Sequence, residues 1–318
     1  MIQEQLEQLY PALERTKKID AFDLQHESQN WFSISHDGWS LPAVDDPHDW
    51  CGLWSYRGCL NTAGHKGTIA EGKGFLQTYQ RSCFRARCSL CWKKWLGRES
   101  SKSTHRIEHF EKISKKKVKH IIISVPDWDY GLDKKELSKK ARTILKDVNC
   151  LGGCMIYHPF RFDRKLKTWY YSPHFHVLGF GWITAVAEAY SKHGYIIKNK
   201  GERDSTFSTI YYILSHAGVK KRNHSLVWFG DLSYSKLKSS EIPALADNKQ
   251  KCPYCENELE ELFLIGDYSH RPPDESVEIF IDTDDYAIVK YEKEEFYEPQ
   301  FQYADTRVLD SIIESIAL

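Results

Sequence analysis

Two runs rich in apolar and aromatic residues, 153–161 and 171–180, flank the polar tip Asp163–Lys167, and a chain with this pattern turns back on itself as a hairpin. The second run reads Pro173-His174-Phe175-His176-Val177-Leu178-Gly179. Strand side chains alternate faces, so His174 and His176 point one way while Phe175 and Val177 point into packing. With the tip centred near Lys165 or Leu166, residues whose numbers sum to about 332 face each other, which sets His158 opposite His174. Three imidazoles then meet on one face. Nitrogen donors with open positions suit Mn²⁺ or Zn²⁺ and hold Mg²⁺ more weakly. A slip of one residue in register would turn His158 away.

The segments around this hairpin fix the expected fold class. Lys119–Val125 reads as a strand closed by Pro126. Asp133–Asn149 reads as a helix. Asp133 and Glu136 form a capping-box-like start, and Leu137, Ala141, Ile144, Leu145 and Val148 line one face. A short helix from about Thr184 and a strand over Tyr195–Lys198 follow the hairpin. The order β-α-β-β-α-β is the split βαβ, ferredoxin-like pattern of an α+β fold with an antiparallel sheet. Leu226–Leu232 is a further strand, and 277–282 with 286–291 reads as a hairpin over an acidic turn. Amphipathic helices are expected around Leu6–Leu13 and Val308–Ile316.

After the last of the palm strands comes Thr209–Gly218, a helix-like segment with Tyr211 and Tyr212, ending at Gly218 as a plausible C′ residue. A phenol ionises near pH 10 and attacks phosphate poorly unaided. A cation on the phosphate oxygens makes phosphorus more electrophilic and offsets the charge that develops. Tyr211 and Tyr212 lie about 100° apart around a helix, so only one can aim at a given phosphate. Tyr212 is the choice, because His216 at i+4 shares its face and can orient the phenol or take its proton.

Charge is divided along the chain although the formal net charge is zero. Residues 81–170 carry 23 Lys and Arg against 9 Asp and Glu, whereas residues from 256 onward carry 18 acids against 4 bases. A basic middle suits a polyanion. Within it, Arg81, Arg85, Arg87, Lys93 and Lys94 interleave with Trp92, a mixture that tracks phosphates and stacks the bases of single strands. No apolar run approaches the length of a membrane span, and the first residues resemble no signal peptide, so a cytoplasmic protein with no membrane partner is expected.

Nine cysteines, an odd number falling in C-x4-C-x2-C and C-x2-C clusters, fit metal sites in a reducing compartment better than disulfides. Cys83, Cys88 and Cys91 have zinc-like spacing, with Cys59 or Cys51 to complete a tetrahedron and His65 as a further candidate. Cys252-Pro253-Tyr254-Cys255 is half of a ribbon knuckle, with Cys51 or His270 as partners. Cys150 and Cys154 read as packed thiols. Gly67–Gly74 approaches a phosphate-binding loop but lacks the closing Ser or Thr, and is not read as a nucleotide site.

Four blocks in this order resemble the HUH endonucleases, and among them the rolling-circle replication initiators (Rep proteins) of archaeal plasmids and viruses. They are His120–Pro126, Tyr157-His158-Pro159-Phe160-Arg161, His174-Phe175-His176 and Tyr212–Gly218. The resemblance covers roughly residues 80–260. It implies an HUH palm, with a catalytic Mn²⁺ or Mg²⁺ held by His174 and His176, to which the hairpin register adds His158. It also implies a tyrosine that nicks single-stranded origin DNA to give a 5′-phosphotyrosine link and a free 3′-hydroxyl. Arg161 joins the expected DNA contacts. Host helicase and polymerase would be partners. The chain departs from the pattern in carrying His216 where relatives often have lysine, and its tyrosines lack the one-turn spacing of two-tyrosine members.

The resulting layout is an N-terminal helical segment (1–45), a cysteine-rich zinc-binding region (46–105), an HUH endonuclease domain (106–235), and a knuckle with an acidic α+β extension (236–318). A single-strand transposase shares the chemistry, and a non-catalytic zinc-ribbon regulator of DNA is the alternative from another class. A His-x-His oxygenase needs a barrel of strands, which the helices at 133–149 and 206–217 count against.

Overall fold

The computed structural model describes residues 28–181, 183–243, 251–266 and 280–288. In chain order these form β1 (Ser35–His36), β2 (Trp39–Ser40), β3 (Trp54–Cys59), β4 (Gly74–Gln80) and α1 (Trp92–Ser114). Next come β5 (Lys119–Ser124), α2 (Lys134–Asp147), β6 (Cys150–Asp163), β7 (Thr168–Gly181), α3 (Val186–His193) and β8 (Ile196–Asn199). The last are α4 (Thr206–Ser215), β9 (Leu226–Gly230), β10 (Glu260–Leu264), β11 (Phe280–Ile281) and β12 (Tyr286–Ile288). This is an α+β chain with antiparallel sheets and, among the described residues, four α-helices. The expected helices near Leu6–Leu13 and Val308–Ile316 lie outside the described residues.

The chain divides into two compact units, residues 1–48 with 83–245, and residues 49–82 with 246–318. The consecutive blocks expected from the sequence are therefore interleaved: Cys83, Cys88 and Cys91 belong to the first unit, and 49–82 belong with the knuckle. Strand pairing is the cause. Leu262 of β10 faces Tyr56 of β3, a partnership between residues far apart in sequence that no local pattern announces.

The first unit holds a five-stranded sheet in the order β8-β5-β7-β6-β9 with every neighbouring pair antiparallel. Its central hairpin, β6 with β7, has the register inferred from the sequence, His158 facing His174. Alternation gives the sheet two chemistries. Ile121, Ile123, Met155, Phe175 and Val177 project to one face and are packed by the Leu137, Ala141, Ile144, Leu145 and Val148 stripe of α2. The N-cap half of the capping expectation is present: Asp133 accepts from the Glu136 backbone N–H at 2.8 Å.

The opposite face carries Cys154, Ile156, Leu178 and Phe180, covered by α1 and α4 through Trp92, Leu96, Ile107, Phe110, Ile210 and Leu214. The long helix α1 was not expected. Its buried stripe is interrupted by Ser100, Ser103 and Thr104, so the apolar periodicity is broken where small hydroxyl residues fill the helix interface. Trp31, Leu41, Phe160 and Trp169 form a separate cluster near the hairpin tip.

The second unit has its own five-stranded antiparallel sheet, β11-β4-β3-β10-β12. Among its described residues, Leu76, Leu262 and Ile281 form an apolar cluster with Tyr56, Leu60 and Tyr286 against them.

Candidate functional site

The face of the sheet covered by α1 and α4 ends in histidine. Ligand atoms of His158, His174 and His176 lie within 4.8 Å of one another, a grouping that could hold a metal ion. The antiparallel register puts all three on one face, as directly opposed residues must be.

Each ring is prepared differently. His174 Nδ1 lies 2.9 Å from the Ser172 carbonyl, so Nδ1 carries the proton and Nε2 keeps its lone pair. His176 Nδ1 lies 2.8 Å from His120 Nε2, a contact that orients the second ring. His158 is fully buried, and neither of its ring nitrogens has a hydrogen-bond partner. A buried imidazole with two unsatisfied nitrogens is costly unless something else binds it. A cation would remove that cost at one nitrogen, and the donor set fits a borderline divalent ion.

Burial keeps the cluster neutral. It pulls His174 down to about 3, with Arg161 adding to the effect. It brings His120 to about 4, assisted by Arg203 and Lys200. His158 and His176 are also held well below the usual imidazole range, first by burial and then by their neighbours. Neutral imidazole is the form that ligates metal.

Arg161 reaches this face through an irregularity. The ladder shifts between His158 and Phe160, a bulge that reverses the facing of the residues beyond it. Arg161 then donates to Ser124 Oγ at 2.8 Å and to Ser172 Oγ at 3.2 Å. Both partners are neutral hydroxyls, so the guanidinium brings positive charge to the histidine face.

The helix α4 supplies the phenols. Its N-cap is Ser205, whose side chain accepts from the Ser208 N–H at 3.1 Å. The Tyr212 ring lies 4.9 Å from that of His216, and the His216 ring lies 4.7 Å from that of His158. Tyr211 turns elsewhere, packing beside Phe207 at 5.8 Å. His216 is not on the helix proper but at its C-cap, with φ −131°, where burial lowers it to about 4. Gly218 is not a left-handed C′ residue: its φ is not positive. Its requirement is space, because a Cβ there would come within 2.5 Å of Pro159 Cδ, next to His158.

The thiols sort into two sets. Cys59, His65, Cys252 and Cys255 group within 4.8 Å in the second unit and could hold a metal ion such as zinc. His65 Nδ1 contacts the Lys73 carbonyl at 2.8 Å, which aims Nε2 at Cys252 Sγ, 3.2 Å away. Cys59 Sγ lies 3.6 Å from Cys255 Sγ, and burial pushes the Cys59 thiol up to about 12 in the absence of a cation. Cys59 therefore groups with the knuckle, and His65, a subsidiary candidate in the sequence, offers the nitrogen of the set. His270 lies outside the described residues. In the first unit, Cys83, Cys88 and Cys91 bring three thiols within 4.8 Å, while Cys51 falls in the second unit, where it is buried. Cys150 and Cys154 are buried packed thiols, each pushed up to about 12 by desolvation.

The expected DNA contacts separate as well. Trp92 is 3% exposed and part of the core, so its ring cannot stack a base. Arg81 is held by Glu261 at 2.8 Å in the second unit, and Arg87 grips Asp45 with two nitrogens at 2.7 and 2.9 Å. Arg85, Lys93 and Lys94 are exposed. Comparison with protein-family models, curated proteins and solved structures finds no match to this chain.

Proposed function

We propose that this chain is a metal-dependent, site-specific single-stranded DNA endonuclease and strand transferase of the HUH type, acting as a rolling-circle replication initiator. The observation that carries the reading is His158. It is a fully buried imidazole with both nitrogens unsatisfied, beside His174 and His176 and one ring away from the Tyr212–His216 pair. The sheet order β8-β5-β7-β6 supports a ferredoxin-like palm, because β7 lies between β5 and β6 as the split βαβ pattern requires.

In this reading His158, His174 and His176 hold a divalent cation, which supplies charge neutralisation and polarisation at a bound phosphate. Arg161 draws the phosphate to the histidine face and holds it there by charge. Tyr212 Oη attacks phosphorus as the bond to the 3′-oxygen breaks, leaving a 5′-phosphotyrosine, and a proton returns to the departing 3′-oxygen. His216, whose ring lies 4.9 Å from that of Tyr212, orients the phenol, whose proton leaves to solvent. Reversal of the same step by an incoming 3′-hydroxyl rejoins strands. Tyr211 packs against Phe207 and takes no part.

The test is incubation of the purified chain with a single-stranded origin oligonucleotide and Mn²⁺, resolved on a denaturing gel. Cleavage that needs the added ion supports the nuclease. Sequence-selective binding without cleavage under any divalent ion favours a DNA-binding regulator.

A further inference from the structure

Outside the histidine site, the first unit contains an open groove of about 990 Å³ between α1, the loop that follows α4, and β9. Its walls come from stretches far apart in sequence. One carries Phe84, Arg85, Arg98 and Lys102, the other Lys221, Arg222, Trp228 and Tyr234. None of the histidines of the candidate metal site, nor Tyr212 or His216, lines it.

Charge in the groove is one-sided. The lining includes eight Lys and Arg but only two acids, Asp45 and Glu99. Asp45 is already engaged by Arg87 at 2.7 Å, and Glu99 lies 3.4 Å from Arg98. Lys221 and Arg85 both act on Asp45 as well, so the two walls bring their cations to the same place. Lys221 and Arg222 are exposed.

Aromatic rings stand among these cations. Phe84 is 37% exposed, with the Arg98 guanidinium 4.5 Å from its ring centroid. Tyr234 is 63% exposed and lies 4.6 Å from the guanidinium of the buried Arg106, which also lies 5.1 Å from the Trp228 ring. Exposed rings backed by guanidinium stay apolar on their outer face and suit a π-stacked base. A duplex keeps its bases stacked inside and offers such rings nothing, whereas a single strand offers both phosphates and base faces.

We propose that this groove is a sequence-tolerant binding track for single-stranded DNA, with Arg85, Lys102, Lys221 and Arg222 on the phosphates and Phe84 and Tyr234 under the bases. The choice of DNA over RNA rests on the nuclease reading; the groove itself does not. It gives the first unit a way to hold the strand beyond the scissile phosphate, independently of any metal.

The test is fluorescence anisotropy of a labelled oligothymidylate of about 20 nucleotides with the full chain and no added divalent ion, so that binding is read without cleavage. The double variant Lys221→Gln/Arg222→Gln should bind about tenfold more weakly at low salt and flatten the log–log salt slope by about 1.4. Tyr234→Ala should weaken binding several-fold while Tyr234→Phe keeps it, since stacking needs the ring and not the hydroxyl. A control pair on the exposed face of α2, Lys135→Gln/Lys139→Gln, should stay within about twofold of the parent, and melting curves verify folding of each variant.

Parent-like binding by the groove double variant overturns the proposal, as does equal loss in the α2 control. A duplex of the same length that binds as tightly as the single strand also overturns it. Tighter binding of oligouridylate overturns the assignment to DNA. Intact binding with no cleavage would remove the nuclease reading and leave the groove; intact cleavage with groove variants that bind like the parent would do the reverse.

Discussion

His176 Nδ1 and His120 Nε2 lie 2.8 Å apart, joining the first strand of the sheet to the strand that carries the His-Phe-His run. His120 is not among the three clustered ligand residues, yet it holds the ring orientation of one of them. Removal of such a partner weakens metal affinity by roughly 10- to 100-fold. His120→Ala should therefore bind Mn²⁺ more weakly by that factor in calorimetric titration while the chain stays folded. Unchanged affinity would mean that His176 needs no such support.

Acid should destabilise the metal-free protein through the same cluster. His174 is held near 3, and His120 and His216 near 4, while an unfolded chain protonates its histidines near 6.5. Between about pH 6.5 and 3 the unfolded state binds more protons, so stability is full above 6.5 and is lost as pH falls through the folded values. Each such imidazole contributes a slope of up to about 1.4 kcal/mol per pH unit in that window. Urea midpoints should fall between pH 7 and pH 5, and fall less for His158→Phe. Identical midpoints at both values would contradict the burial argument.

The knuckle of the second unit should depend on its cation. Cys59→Ser removes a thiol that lies 3.6 Å from Cys255 Sγ, beside the His65–Cys252 contact. Elemental analysis should show one zinc equivalent fewer than the parent, and proteolysis should be faster within 49–82. Among the described residues the apolar cluster of this unit is built on Leu76, Leu262 and Ile281, and the cation cross-links the chain beside it. Full zinc content in the variant would place the metal elsewhere.

Gly218 tests how tightly the tyrosine helix is seated on the hairpin. Its N–H donates to the Tyr157 carbonyl at 2.9 Å, and a Cβ would meet Pro159 Cδ at 2.5 Å. Gly218→Ala should cost about 1–3 kcal/mol in chemical denaturation, because the backbone must shift to admit one methyl group. A neutral substitution would show that the loop after α4 adapts freely.

What the sequence disclosed, and what it withheld, follows from how far each signal reaches. The hairpin register needed only the tip position and strand alternation, and His158 indeed faces His174. The capped α2 was equally local. Helix α1 escaped notice because Ser100, Ser103 and Thr104 stand where apolar residues would have marked its period. The thiol partners could not be read from spacing, since Cys59 and Cys255 are brought together by the pairing of β3 with β10. Trp92 looked like a base-stacking ring among lysines, but the turn of α1 directs it into the core. The wall formed by Lys221, Arg222 and Tyr234 was invisible for the same reason: its opposite wall lies more than a hundred residues earlier.

Mass spectrometry of the protein after reaction with a single-stranded origin oligonucleotide and Mn²⁺ decides whether Tyr212 is the nucleophile. A nucleotide adduct on Tyr212 is expected, lost in Tyr212→Phe and kept in Tyr211→Phe. An adduct on another residue, or cleavage that survives Tyr212→Phe unchanged, would contradict that role.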